Sequence, residues 1–141
     1  MTDTQTPRLR LALFDLDHTL LPLDSDYEWG EFTIRIGWND PVEFARRNDE
    51  FYAHYQAGTL DVHDYVRFAT EAVRLRGPEA AAAAHAQFMR EVIAPAIRPQ
   101  ALDLIRQHQA AGEQVLIVTA TNEFVTRPIA KALGVEELLA V

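Results

Sequence analysis

Apolar positions along this chain follow two rhythms. Leu9-Arg10-Leu11-Ala12-Leu13-Phe14 and Val115-Leu116-Ile117-Val118 are short, almost unbroken apolar runs. Runs of this length without polar alternation suit strands buried on both faces, as in a parallel sheet. Between the two runs the period becomes helical. Trp29, Phe32 and Ile36 make one stripe, and Phe44, Phe51 and Tyr55 make another. Val62, Tyr65, Val66, Ala69 and Val73 make a third, with His63, Asp64, Arg67, Thr70 and Arg74 opposite them.

Capping and breaking residues divide these stripes into elements. Asp61 is a good N-cap for the third helix, and Gly77-Pro78 stops it and starts the next. The alanine-rich stretch Glu79 to Ile93 reads as a fourth helix whose alanines allow close packing and carry no chemistry. Pro95 and Pro99 mark a boundary, with Pro99 the first residue of a helix over 99–111 that Gly112 ends. Asn122 caps a further helix to about Leu133, Gly134 closes it, and Glu137 to Val141 starts a third strand. The outline predicts an α/β core over residues 1–21 and 97–141, interrupted by a helical cap over residues 22–96.

Composition narrows the partners. A formal net charge of -8 leaves no basic stripe to displace counterions from a nucleic acid, so none is expected as a partner. A small anionic substrate stays compatible, because a metal ion and a few Arg reverse a local field. Absence of cysteine excludes a disulfide framework or a thiolate metal site. The N-terminal MTDTQTPRLR has no apolar signal core, and no run approaches membrane-spanning length. A soluble cytoplasmic protein with no membrane partner is expected.

The chemistry concentrates where the first apolar run stops. Asp15-Leu16-Asp17-His18-Thr19-Leu20 follows it directly, and Thr119 follows the second run. In an open α/β sheet, ligands bind beyond the carboxyl ends of the strands. Two carboxylates converging there repel and call for a cation, and oxygen ligands favour a hard one such as Mg²⁺. One carboxylate can attack phosphorus while the other handles protons. Thr119 offers a hydroxyl to a phosphate oxygen, and the helix after it presents free N–H groups.

Phe14-Asp15-Leu16-Asp17-His18-Thr19-Leu20 resembles the first motif of haloacid-dehalogenase-like phosphatases, Asp-x-Asp-x-Thr after a hydrophobic strand. Val115-Leu116-Ile117-Val118-Thr119-Ala120-Thr121 resembles their second motif, a strand ending in Thr or Ser. The helical insertion between them is similar to the cap of the phosphoserine-phosphatase-like subfamily. The resemblance implies a Rossmann-like parallel core. It further implies that Asp15 is the nucleophile and a Mg²⁺ ligand. Asp17 would be the general acid/base and would ligate the metal through its backbone carbonyl. Thr119 and the N–H groups of Leu16 and Ala120 would hold the phosphoryl oxygens. Dehalogenases of this fold lack the second Asp, so phosphoryl transfer is the implied reaction.

Two parts that the resemblance implies have no match. The third motif, a Lys or Arg, and the fourth, further acidic metal ligands, would follow later. Lys131, Glu136 and Glu137 come too soon. The strand bearing the fourth motif would pair with the first strand, whose edge is otherwise open and prone to aggregation. The expectation is a fragment, a truncated product, or a chain whose core is completed by the rest of the gene product or by another chain. The competing expectation is a catalytically incompetent fragment or binding module of the same fold.

For the substrate, the subfamily holds an amino acid's ammonium with an acidic residue nine positions after the nucleophile and its carboxylate with a cap Arg. Asp24 stands at the first position, and alignment on Gly58-x-Leu60 puts Ala69 at the second, with Arg67 two residues away. A two-residue shift turns a helical side chain by about 200 degrees, so the carboxylate clamp is expected to be absent. An amine-bearing phosphate ester such as histidinol phosphate fits better than phosphoserine, with Asp24, Asp26 and Tyr27 lining its pocket and Arg67 a further candidate. His18 fills a spacer position that is often Gly in the family. His54, His63, His85 and His108 show no paired metal spacing and are expected to be solvated or capping. Arg46-Arg47 reads as a solvated helix face, and the cap aromatics as packing.

Overall fold

The computed structural model describes residues 9–141; residues 1–8 of the polar leader lie outside the described residues. Three parallel strands form one sheet in the order β1 (Leu11–Phe14), β2 (Gln114–Val118), β3 (Glu137–Leu139). The register runs from Leu11 opposite Gln114 to Phe14 opposite Ile117, and from Leu116 opposite Glu137 to Val118 opposite Leu139. Side chains alternate along a strand, so Ala12, Phe14, Val115 and Ile117 share one face and Leu11, Leu13, Leu116 and Val118 the other. The core cluster takes its sheet residues from the first face only. Leu11 and Leu13 are 53% and 61% exposed. Burial on both sides, expected from the unbroken runs, is thus corrected for the second face, which the described residues leave open. β1 is also an edge strand, as the resemblance implied for a core lacking its later strand.

Six α-helices accompany the sheet among the described residues: α1 (Ser25–Arg35), α2 (Pro41–Ala57), α3 (Val62–Arg76), α4 (Pro78–Phe88), α5 (Pro99–Ala110) and α6 (Glu123–Ala132). Their starts are written in the sequence. Asp24, Asp40, Asp61 and Asn122 each accept a hydrogen bond from a first-turn N–H, and Pro opens α2, α4 and α5. The alanine-rich helix ends sooner than Ile93. A π-helical turn takes over at Met89–Ile93, with the Ala94 N–H donating to the Met89 carbonyl. Pro95 is the cause: it has no N–H for the Glu91 carbonyl and its ring crowds that carbonyl, so the last turn widens.

Packing divides the helices unequally. Trp29 and Phe32 of α1 and Phe88 of α4 join Ile105 of α5, Ile117 of β2, and Val125 and Ile129 of α6 in one hydrophobic cluster. The expected cap and core therefore share apolar contacts at α1 and α4. By contrast, α2 has no buried residue, and α3 buries only Phe68 and Ala72. Tyr55, expected on the apolar stripe of α2, is 67% exposed, stacked beside Tyr52. Arg46 lies on the solvated face with Glu43 and Glu50, but Arg47 departs from that expectation. It stacks over the Phe68 ring at 4.7 Å and reaches Glu71 at 2.7 Å, tying α2 to α3.

Candidate active site

The chain leaves β1 at Asp15 and turns at once. Asp15 is exposed at the strand end, its Oδ1 accepting the Leu16 N–H at 2.9 Å. His18 has φ 57, the only positive φ at a non-glycine residue among those described. That left-handed conformation explains why glycine suits the spacer position; in other residues it costs about 1–2 kcal/mol. The Leu21 N–H closes the turn onto the Leu16 carbonyl at 3.0 Å, and the His18 N–H reaches the Leu23 carbonyl at 3.2 Å. Leu16, Leu20 and Leu21 are all fully buried. Burial of each leucine stabilises by about 1.5–3 kcal/mol, more than enough to hold the strained turn.

The same turn delivers Asp17 to the end of β2. Asp17 Oδ1 accepts the Ser25 N–H at 2.7 Å, and Oδ2 accepts the Thr121 hydroxyl at 2.8 Å and, more weakly, the Thr119 hydroxyl at 3.5 Å. Thr119 Oγ1 in turn accepts the Thr121 N–H at 3.1 Å. The structure therefore brings Asp17 and Thr119 together across 102 residues of chain. Thr121 and Ser25 belong to this constellation although sequence reasoning gave them no role. Thr121 stood in the second motif without assignment, and nothing local marks the Ser25 N–H. Ser25 is fully buried, and its Oγ has no hydrogen-bond partner in the structure. Leu16 N–H is already engaged by Asp15, while Ala120 sits exposed between Thr119 and Thr121.

α1, α2 and α3 border an open cavity of about 810 Å³ whose lining begins at Asp24 and does not include Asp15, Asp17, Thr119 or Thr121. Asp24, Asp26 and Tyr27, the candidates for a substrate pocket, line it. Asp24 is first of all the cap of α1, accepting the Tyr27 N–H at 3.0 Å. Asp26 is half-buried and accepts a hydrogen bond from the Tyr65 hydroxyl of α3. Burial raises the Asp26 carboxyl above its ordinary range; the Tyr65 hydrogen bond opposes this, while the charges of Asp24 and Asp17 add to it. Tyr65 is itself pushed upward, by burial first and then by the Asp26 charge.

Ala69 lines the cavity, which places a residue without charge where the carboxylate clamp would stand. Arg67 does not line it. It faces the separate groove between α2 and α3, paired with Asp64 at 3.2 Å and 73% exposed. Its candidacy as a substrate ligand is therefore corrected: the turn of the helix between positions 67 and 69 carries it to the other side. His85 is also corrected. Rather than solvated, it is buried, stacked on Trp29 with ring centroids 5.5 Å apart, and its Nε2 donates to the Val125 carbonyl at 2.9 Å. Burial holds its imidazole below the usual range. His54 is exposed in the last turn of α2, its Nδ1 paired with the Thr59 hydroxyl.

The donors at the strand ends suit a hard cation. Asp15 is an exposed carboxylate, and with the Asp17 backbone carbonyl it would offer oxygen donors of the kind Mg²⁺ takes. The Asp17 carboxylate is already occupied by the donors described. Among the described residues no group of three His, Asp or Glu is disposed to hold a metal, so these two residues fill only part of a coordination shell. No helix among them is long and apolar enough to cross a membrane.

Comparison with known proteins bears on the family and the fold. The family model for haloacid dehalogenase-like hydrolases matches residues 12–141. A histidinol-phosphatase of Neisseria meningitidis serogroup C is 36% identical over 129 residues, covering 92% of this chain and 58% of the relative. A structure of a protein of unknown function from Bordetella pertussis Tohama I superposes with a TM-score of 0.83 at 50% identity, covering 94% of this chain and 60% of that one. A phosphoserine phosphatase captured as a phospho-aspartyl intermediate analogue shares the fold, with a TM-score of 0.53 at 18% identity, over 94% of this chain and 56% of its own. The chain thus spans about three fifths of the length of the first relatives it matches.

Proposed function

Since the chain belongs to the haloacid dehalogenase-like hydrolase family, we propose that it carries the nucleophile and acid/base half of a Mg²⁺-dependent phosphomonoesterase. The observation that supports this best is the seat of Asp17, fixed between the Ser25 N–H and the Thr119 and Thr121 hydroxyls two residues beyond exposed Asp15. In this reading an Asp15 oxygen attacks phosphorus, and the bond from phosphorus to the ester oxygen breaks. Asp17 gives its proton to the departing alcohol. The carboxylate left on Asp17 then takes a proton from water as that water attacks the aspartyl-phosphate, releasing inorganic phosphate and restoring both residues. Thr119 and the N–H groups of Leu16 and Ala120 hold the phosphoryl oxygens, the Leu16 N–H exchanging its bond with Asp15 for one with the substrate. Asp15 and the Asp17 carbonyl would hold Mg²⁺, which would supply charge neutralisation at the phosphoryl group.

The substrate is read as a small phosphate ester that bears an amine and no carboxylate. Ala69 on the cavity wall and Arg67 outside it support the missing carboxylate clamp. The name of the Neisseria relative points to histidinol phosphate. The cationic side chain and the acidic metal ligands of the later family motifs are read as coming from the rest of a longer chain or from a second chain. The exposed second face and free edge of the sheet are where such a segment would pack. A cytoplasmic setting agrees with a reaction on a soluble ester.

The test is hydrolysis of histidinol phosphate by the full-length protein. Asp15→Asn is expected to lower kcat by on the order of 10³-fold or more, as loss of a covalent nucleophile does. Near-normal turnover by that variant removes Asp15 from the reaction.

A further inference from the structure

The cavity bordered by α1, α2 and α3 has a wall chemistry of its own. Asp24, Asp26, Glu31 and Asp49 line it, and no Lys, Arg or His does. Aromatic residues share the lining, among them Tyr27, Phe44, Tyr52 and Tyr55. A carboxylate-bearing ligand meets four like charges there and no partner. A cation meets carboxylates and aromatic quadrupoles, both attractive to it.

Within this wall one pair stands apart. Asp26 in α1 and Tyr65 in α3 are 39 residues apart, both half-buried, and joined by a hydrogen bond in which Tyr65 donates. One Asp26 oxygen is thereby fixed in direction by a hydroxyl that is itself held by packing, Tyr65 lying edge-on to Phe51 with centroids 5.5 Å apart. Asp26 also lies close enough to Asp24 and Asp17 to feel their charges, and a bound cation would relieve the crowding. Asp26 directly follows Ser25, whose N–H donates to Asp17 Oδ1 at 2.7 Å, so the start of α1 ties this wall to the acid of the proposed reaction.

We infer that the Tyr65–Asp26 pair is the specificity-determining element of this site: Asp26 receives the protonated amine or imidazolium of the substrate, Tyr65 positions that carboxylate, and the carbon skeleton lies against the aromatic wall. The inference rests on the phosphatase reading above and adds to it the group that reads the cation. Tyr65 is a positioning residue and touches no reacting atom.

Three measurements on the full-length protein test this. Hydrolysis of histidinol phosphate is compared with that of phenyl phosphate, an aromatic ester without a cation. For Asp26→Asn the ratio of the two kcat/KM values is expected to fall by about 100-fold, the scale of losing the partner of a desolvated charge. For Tyr65→Phe, which keeps the ring, KM for histidinol phosphate is expected to rise about tenfold with kcat little changed, the signature of an interaction made equally in ground and transition states. Titration calorimetry with histidinol alone is expected to show binding that Asp26→Asn abolishes. An unmoved ratio, or equal losses on both esters, overturns the proposal and assigns Asp26 to structure. If wild-type protein hydrolyses neither ester while Asp26-dependent histidinol binding persists, the phosphatase reading fails and the cation site stands. No binding of histidinol by wild type overturns the site itself.

Discussion

Thr121 holds the Asp17 carboxylate in place through one hydroxyl. Thr121→Val keeps the shape but withdraws the 2.8 Å hydrogen bond to Asp17, leaving Oδ2 with only the longer contact from Thr119. Stability is expected to fall by about 1–2 kcal/mol, the cost of stranding a partly buried acceptor. In the proposed reaction the loss also misaligns Asp17, so kcat is expected to drop more than tenfold with KM little changed. Thr121→Ser restores the donor and should recover most of both. Thermal unfolding and steady-state kinetics check the pair; equal behaviour of the Val and Ser variants removes the hydroxyl from this role. Asp15, Asp17 and Thr119 were legible in the sequence because each stands where an apolar run stops. Thr121 and Tyr65 were not, because their partners lie 104 and 39 residues away and a single hydroxyl has no period.

Elements were read best where local chemistry decides them. Asp24, Asp61 and Asn122 cap α1, α3 and α6, and Asn122 and Asp61 mark those starts in the sequence by side-chain type alone. What a helix packs against was less legible, since periodicity gives a face and not its partner. His85 illustrates this: it sits on α4, stacks on Trp29 of α1 and bonds to α6, joining three helices. Its folded-state affinity for protons lies below the ordinary value of 6.5, so the unfolded chain binds the proton more readily. The contribution of neutral His85 is therefore fully present above about pH 6.5 and is lost as pH falls through the lower folded value. Wild-type stability is expected to decline over that window more steeply than that of His85→Phe, as followed by denaturant unfolding at a series of pH values. Parallel curves for the two proteins remove His85 from the pH response.

Across the molecule, cohesion is uneven. β2 lies between two strands over the buried cluster, β1 has one partner and an exposed leucine face, and α2 buries no side chain completely. Amide hydrogen exchange is expected to follow that order, slowest in β2 and α6, faster on the outer side of β1, and fastest in α2. Uniform protection across these segments contradicts such a gradient. The α/β architecture and its helical insertion were legible because strand and helix periods differ so plainly. The open second face was not, because an apolar run carries no record of whether anything covers it. Gly30 sits where an added Cβ would lie 3.0 Å from the Phe44 ring, so glycine lets α2 approach α1 closely there. One wall of the cavity is thus built from a helix whose side chains the core does not need. Under the proposed function, substitutions at the exposed positions of that wall, away from the Phe44, Phe51 and Phe68 stack, would change ligand selectivity at less cost in folding free energy than changes in the buried cluster, so selectivity on this scaffold is free to drift while the turn after β1 stays the same.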